Sequence, residues 1–266
     1  MNGMNRMEAW LRHERAVPAL GLVAVVAFSW IYLWSGAGMG MSALRMTALA
    51  LFPHRLPDGG GSMDLSLPTA ILMWWTMMIA MMTPSAAPLV LLYRRVLRHY
   101  SAAGIETAVP SLLLLAGYLT TWLAFSIGMA LLQNVLQPTG LISGMMLWSK
   151  NALFSAIVLL AAGIYQLSPL KRACLKQCRT PVNFLMTHLR PGVVGSFVLG
   201  VRHGAYCVGC CWMLMALLFV GGIMNLVWIV GLSFFVFIEK LLPGGEYVGR
   251  VLGGVLIVWA GVTLLV

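Results

Sequence analysis

One uncharged stretch decides the fold: it reads LPTAILMWWTMMIAMMTPSAAPLVLLY and covers residues 67–93. The hydrocarbon core of a bilayer is about 30 Å thick, and a helix needs about 20 apolar residues to cross it. The stretch is long enough and continuously apolar instead of alternating, so it predicts a transmembrane helix and not a barrel strand. Comparable runs predict six more spans, at 17–34, 109–133, 143–167, 206–220, 223–241 and 248–266.

The composition excludes an ordinary soluble enzyme. Of the 266 residues, 61% are hydrophobic and 9% are charged, whereas globular domains have about 45–50% apolar and about 25% charged residues. We therefore expect an all-α fold, a polytopic transmembrane helical bundle of about seven spans that forms one integral membrane domain over residues 1–266. The lipid bilayer is its first expected partner.

Two connecting regions do not fit a simple spanning helix. Residues 35–66 contain glycines and prolines, so we predict an extracytoplasmic loop with a short amphipathic helix at 41–51. Residues 168–205 form the predicted cytoplasmic, cysteine-bearing loop. Within this loop, 192–204 is apolar but short and carries Arg202, which predicts a re-entrant half-helix that breaks at Gly204.

The basic residues indicate the orientation. The formal net charge of +10 would fit a nucleic-acid-binding protein, but the lysines and arginines flank apolar runs, so no nucleic acid partner is expected. With seven spans, all but three of the 17 lysines and arginines fall in alternate loops. Cytoplasmic loops are enriched in these residues. We therefore expect a multi-pass protein whose N-terminus is cytoplasmic.

All five cysteines lie in two clusters between residues 174 and 211. The first cluster has two cysteines four residues apart among lysines and arginines, so a helix would place both on one face. The second has a histidine followed at helical spacing by two cysteines, and it contains a C-x-x-C pair. Thiolates and imidazole are ligands of Zn(II) and Cu(I), so the pattern predicts a copper or zinc site if the clusters meet. The candidate ligands are Cys174, Cys178, His203, Cys207, Cys210 and Cys211.

Two other interpretations of the cysteines stay open. Free cysteine is often a small buried hydrophobe, in which case no metal is bound. A structural disulfide is not expected on the cytoplasmic side, where thiols are kept reduced. A transient disulfide between Cys207 and Cys210 would instead make the protein a thiol oxidoreductase.

Weaker ligand candidates lie in two of the predicted spans. The second span carries methionines on adjacent helical turns, and thioethers are soft copper ligands, although methionine more often fills apolar cores. A carboxylate at the end of the sixth span is a ligand, a proton acceptor, or the partner of Lys240 or of a loop cation. These candidates are Met77, Met78, Met81, Met82 and Glu239.

The chain resembles a bacterial family of integral membrane proteins, the domain of unknown function numbered 2182, whose members are predicted to bind metal. The likeness rests on residues 73–84, 165–178, 203–212 and 222–240, which include the methionines and both cysteine clusters. The resemblance implies a multi-pass protein of the bacterial cytoplasmic (inner) membrane with a metal site.

Together these observations predict a metal-binding membrane protein that handles copper or zinc. Whether it is an enzyme is open at this point. One alternative is a membrane thiol-disulfide oxidoreductase that uses Cys207 and Cys210. The other is a non-catalytic subunit that assembles with other membrane subunits.

Overall fold

The computed structural model describes residues 20–40, 42–56, 65–100, 108–189 and 192–266. Within these ranges every regular element is helical, apart from one isolated antiparallel bridge, and the predicted all-α bundle is confirmed. The start of the predicted first span and positions 57–64 of the predicted loop lie outside the described residues. The helices are α1 (Leu20–Trp34), α2 (Leu67–Tyr100), α3 (Ala108–Leu136), α4 (Ala152–Leu167), α5 (Pro169–Arg179), α6 (Pro181–His188), α7 (Gly192–Ala216), α8 (Leu218–Gly221), α9 (Leu226–Leu241) and α10 (Gly245–Leu265).

Four helical stretches in the described ranges are long and apolar enough to cross a membrane: Leu67–Leu97, Val109–Leu136, Gly192–Gly221 and Gly245–Leu265. A fifth results if α4 and α5 form one span, although they are bent by 63°. α1 is shorter, and α9 with 16 residues is about 24 Å long at about 1.5 Å per residue. The helices are therefore compatible with a membrane protein, while the number of seven spans stays a prediction.

The predicted half-helix at 192–204 is wrong. α7 continues through Gly204 as one helix, and the predicted span at 206–220 is its second half together with α8. A Cβ atom at Gly204 would lie 2.7 Å from the Thr121 side chain of α3, and one at Gly200 would collide with the Leu114 carbonyl. These glycines therefore allow α3 and α7 to pack closely instead of breaking the helix, as small residues commonly do in membrane bundles.

The predicted amphipathic helix at 41–51 is also wrong over its described residues, 42–51, which dock on the start of α9. Residues 42–51 form turns and irregular chain. The Asn225 side chain donates from Nδ2 to the Ala48 carbonyl at 2.8 Å, and the Leu226 N–H donates to Thr47 Oγ1 at 3.1 Å. The second bond satisfies the backbone N–H of the first residue of α9, which has no partner within the helix.

The predicted span at 143–167 becomes helical later than expected. α4 starts after Asn151, whose side chain caps the helix by accepting from the Phe154 N–H at 3.0 Å. The preceding residues pair Ile142 with Ser149 in the antiparallel bridge. Asparagine at the N-cap favours a helix start at this position, which explains the shorter helix.

A methionine-rich core occupies the centre of the bundle. Its fully buried aromatic members include Trp74 and Trp122, and it draws residues from α2, α3, α7 and α9. The buried cysteines of α7 belong to the same core as the methionines of α2. The fold therefore places both groups of sulfur-bearing side chains in one apolar interior.

Candidate functional site

The three cysteines of α7 are buried in the methionine-rich core. Because Cys210 and Cys211 follow Cys207 by three and four residues on one helix, all three lie on one side of it. Each is 1% exposed. The Cys210 and Cys211 thiols donate to the Cys207 carbonyl at 3.1 and 2.7 Å. The helix therefore gathers three sulfur atoms at one place in the core.

The bend between α4 and α5 brings the first cysteine cluster towards the second. α5 begins at Pro169, and the Ser168 hydroxyl caps it by accepting from the Lys171 N–H at 3.2 Å. A serine cap followed by proline favours a new helix start. The 63° bend that results lays α5 against α7.

The Cys178 thiol of α5 lies close enough to the Cys207 and Cys210 thiols to interact electrostatically with them. Cys174 lies one helical turn earlier, and a Cβ atom at Gly209 of α7 would be only 3.0 Å from its Sγ. Both α5 cysteines are half-buried, and all five cysteines are free thiols. The thiols of four cysteines interact with one another in this way. We call these four residues the thiol cluster: Cys178, Cys207, Cys210 and Cys211.

Two polar side chains approach the thiol cluster from α9 and α3. Lys240 Nζ donates to Cys207 Sγ at 2.8 Å and to Ser85 Oγ at 3.3 Å. The Tyr118 hydroxyl lies 3.1 Å from the same sulfur and donates to the Met82 carbonyl at 3.0 Å. Cys207 Sγ is therefore the atom at which side chains of α3, α5, α7 and α9 meet.

One methionine of the predicted stripe reaches the thiol cluster. Cys211 Sγ lies 3.9 Å from Met82 Sδ. Met77, Met78 and Met81 are buried in the same core. A thioether therefore adjoins the thiols at Met82, while the other three methionines contribute to core packing.

His203 is buried one helical turn before Cys207, between two aromatic rings. Its ring centroid lies 5.8 Å from that of Tyr118 and 5.2 Å from that of Phe184. In the described part of the chain, its Nδ1 atom has no hydrogen-bond partner. The structure thus leaves an unpaired imidazole nitrogen close to the thiol cluster along α7.

Glu239 is engaged by a cation of α5. Lys171 donates from Nζ to the Glu239 carboxylate and to the side-chain oxygen of Gln166, and all three side chains are buried. Of the two pairings that the sequence allowed, the partner is therefore the loop cation and not Lys240. The carboxylate is neutralised in this arrangement.

These contacts do not form a ready-made metal site. In the ranges that the structure describes, no group of three or more His, Cys, Asp and Glu side chains is placed to hold a metal ion. The Cys210 and Cys211 thiols instead donate to the Cys207 carbonyl. The six candidate ligands, and the weaker candidates, therefore stay predictions as ligands.

Sequence reasoning missed the side chains that touch Cys207 from other helices. Tyr118 and Cys207 are 89 residues apart, and a tyrosine within an apolar run gives no signal of such a contact. Lys240 was visible beside Glu239, but its position near a predicted interface favoured solvent exposure. Its burial against Cys207, 33 residues earlier, follows only from the packing of α9 on α7.

A family model described as PpoB2, copper chaperone, matches residues 71–263, which is more than two thirds of the chain. No curated protein and no solved structure matches the chain. The match supports the predicted relation to copper and gives no support to the predicted relation to zinc. It bears out the expected relation to a metal-handling family, although not to family 2182 by name.

Proposed function

Because the chain belongs to the PpoB2 family of copper chaperones, we propose that it carries Cu(I) as cargo inside a membrane-embedded bundle and that the thiol cluster binds the ion. The observation that carries this proposal is the proximity of the Cys178 thiol to those of Cys207 and Cys210, with which it interacts electrostatically. That proximity joins two cysteine pairs from separate helices at one point of the core.

The donor set favours Cu(I) among biological metals. Thiolate and thioether sulfur are soft donors that select Cu(I), zinc and iron–sulfur clusters over magnesium, calcium and manganese. The thiol cluster offers thiols from α5 and α7, and Met82 adds a thioether next to Cys211. Copper replaces the thiol protons when it binds, because the ligand is the thiolate. The present thiol–thiol contacts are then exchanged for sulfur–copper bonds.

α5 provides a route between the buried cluster and a partner. Cys174 and Cys178 are half-buried, whereas the cysteines of α7 are fully buried. Cys174 also lies against Gly209, beside the C-x-x-C pair. We propose that copper moves by ligand exchange from Cys174 to Cys178 and then to Cys207 and Cys210, or in the reverse order.

The proposed location is the bacterial cytoplasmic membrane. Four described helices are long and apolar enough to span it. With the seven predicted spans, the positive-inside rule places the N-terminus and α5 on the cytoplasmic side. The proposed partners are the lipid bilayer, copper and a cytoplasmic copper-binding protein or membrane subunit that exchanges copper at α5.

The first experiment compares the double variant Cys207→Ser/Cys210→Ser with Cys174→Ser. Each protein is purified anaerobically in detergent, loaded with Cu(I), freed of unbound ion and analysed for copper per protein chain. We expect the double variant to lose bound copper, while Cys174→Ser retains it because Cys174 lies outside the thiol cluster. Gel filtration checks that both variants are folded. Stoichiometric copper in the folded double variant would contradict the proposed site.

A second candidate function is thiol–disulfide exchange at Cys207 and Cys210. It is favoured by the position of Cys178, whose thiol lies near both members of the pair and interacts with them electrostatically. In this case the copper-free protein should form a reversible Cys207–Cys210 disulfide, seen by alkylation of thiols across buffers of graded thiol–disulfide potential. Thiols that stay fully alkylatable across this range would exclude exchange and leave the copper proposal.

A further inference from the structure

A buried ammonium group faces the thiol cluster, and none of the carboxylates in the described ranges is paired with it. Lys240 is 5% exposed, and its Nζ donates to Cys207 Sγ and Ser85 Oγ. We propose that Lys240 determines metal selectivity by charge balance, favouring Cu(I) over divalent ions in a site with two thiolates. This inference rests on the proposed copper-binding function.

The acidic side chains of the described residues are paired elsewhere. Glu239 forms its ion pair with the buried Lys171, and this pair is neutral as a unit. Glu246 pairs with Arg250 on the exposed side of α10. In the described part of the chain, sulfur is therefore the available source of negative charge for Lys240, since Ser85 is neutral.

A buried cation is costly unless an opposite charge is close to it. Two thiolates and one Cu(I) ion have a net charge of −1, which the ammonium group of Lys240 reduces to zero. Two thiolates and one Zn(II) ion are already neutral, so Lys240 would leave an uncompensated positive charge in the core. The lysine therefore stabilises the monovalent complex and destabilises the divalent one.

The direction of the preference depends on the number of thiolates. With three thiolates, Zn(II) and Lys240 would be neutral together, and the preference would be reversed. Lys240 contacts one cluster sulfur, that of Cys207. We therefore propose a site with two thiolates, of which Cys207 is one, while the remaining thiols of the cluster stay protonated.

Three substitutions at position 240 separate charge from hydrogen bonding and packing. Lys240→Met removes the charge and retains most of the side-chain length. Lys240→Gln removes the charge but still offers donors to Cys207 and Ser85. Lys240→Arg retains the charge. Lys176→Gln is the matched control, because Lys176 is an exposed lysine of α5.

The experiment offers equal concentrations of Cu(I) and Zn(II) to the full-length protein in detergent, without oxygen and with a reductant. The bound ratio is then measured by elemental analysis. We expect Lys240→Met and Lys240→Gln to lower the Cu(I)-to-Zn(II) ratio roughly 10- to 100-fold, the range that interactions with a charged hydrogen-bonding group span. Lys240→Arg and Lys176→Gln should remain close to the unsubstituted protein. Ag(I), which is soft and monovalent, should follow Cu(I) in every variant.

The outcomes separate this inference from the proposed function. If the unsubstituted protein binds Cu(I) and the neutral variants keep its ratio, charge balance by Lys240 is refuted while copper binding stands. If the unsubstituted protein binds no Cu(I), the proposed function itself fails. If Lys240→Met does not fold, the metal ratio of Lys240→Gln is the test of charge balance. A folded Lys240→Gln protein that binds neither ion would show that the lysine assembles the site and does not select the metal.

Discussion

Two buried lysines of this bundle have different partners. Lys171 donates to the Glu239 carboxylate and to Gln166, so its charge is matched by a carboxylate. Lys240 is adjacent to Glu239 in sequence, yet it donates to the Cys207 sulfur and the Ser85 hydroxyl. The two charges of a buried ion pair cancel. The charge of an ammonium group beside a sulfur atom is cancelled only when that sulfur is a thiolate.

The difference indicates different roles for the two lysines. The Lys171 pair joins α5 to α9 and holds the bent segment in place, so it contributes to structure. The Lys240 contact joins α9 to the thiol cluster, where the charge on sulfur changes with metal content. Substitutions at the first site should therefore act on stability, and those at the second on metal binding.

The largest expected loss of stability comes from a substitution at the Lys171 ion pair. Glu239→Gln leaves Lys171 as an uncompensated buried charge, and removing one partner of a buried pair costs about 3–5 kcal/mol. Unfolding in detergent, followed by tryptophan fluorescence, measures this loss. Glu246→Gln is the control, because its exposed pair with Arg250 should contribute about 0–1 kcal/mol. An equal loss in both variants would remove the basis for the structural role of Lys171.

The fold could be predicted from the sequence where one physical signal dominates. Long apolar runs can only be helices in a bilayer, and α2, α3 and α10 were found on this basis. The prediction was wrong at 192–204, where Arg202 and Gly204 indicated a break. Arg202 is exposed and Gly204 packs on Thr121, so neither interrupts the helix. Sequence alone does not distinguish a glycine that breaks a helix from one that packs.

The candidate site was predictable only within single helices. Helical spacing places Cys207, Cys210 and Cys211 together on α7, and it places Cys174 and Cys178 together on α5. The contact between these groups depends on the 63° bend at Ser168, which a serine–proline pair indicates without giving its angle. The contact of Lys240 with Cys207 depends on the packing of α9 on α7, which no local sequence pattern indicates.

A smaller effect is expected from Gly249→Ala. A Cβ atom at this position of α10 would overlap the Glu239 carboxylate, so it should displace the Lys171 pair without touching Lys240. Overpacking of this kind costs about 1–3 kcal/mol. The measurement is again unfolding in detergent, with Gly254→Ala on the same helix as control, because a Cβ there has no neighbour within 4 Å. The Cu(I)-to-Zn(II) ratio should stay unchanged, and a shifted ratio would mean that the two lysine sites are coupled.

The smallest effect is expected from Ser85→Ala, which tests the Lys240 site without changing its charge. The variant removes a hydrogen bond that Lys240 donates to Ser85 Oγ at 3.3 Å, and it should lower stability by about 0.5–1.5 kcal/mol. Ser233→Ala is the control, because Ser233 donates within its own helix, to the Ile229 carbonyl, as Ser85 does to the Met82 carbonyl. The ratio of bound Cu(I) to Zn(II) should stay close to that of the unsubstituted protein, since the ammonium group remains next to Cys207. If Ser85→Ala lowers the ratio as far as Lys240→Gln does, the position of the lysine governs selectivity and its charge alone does not.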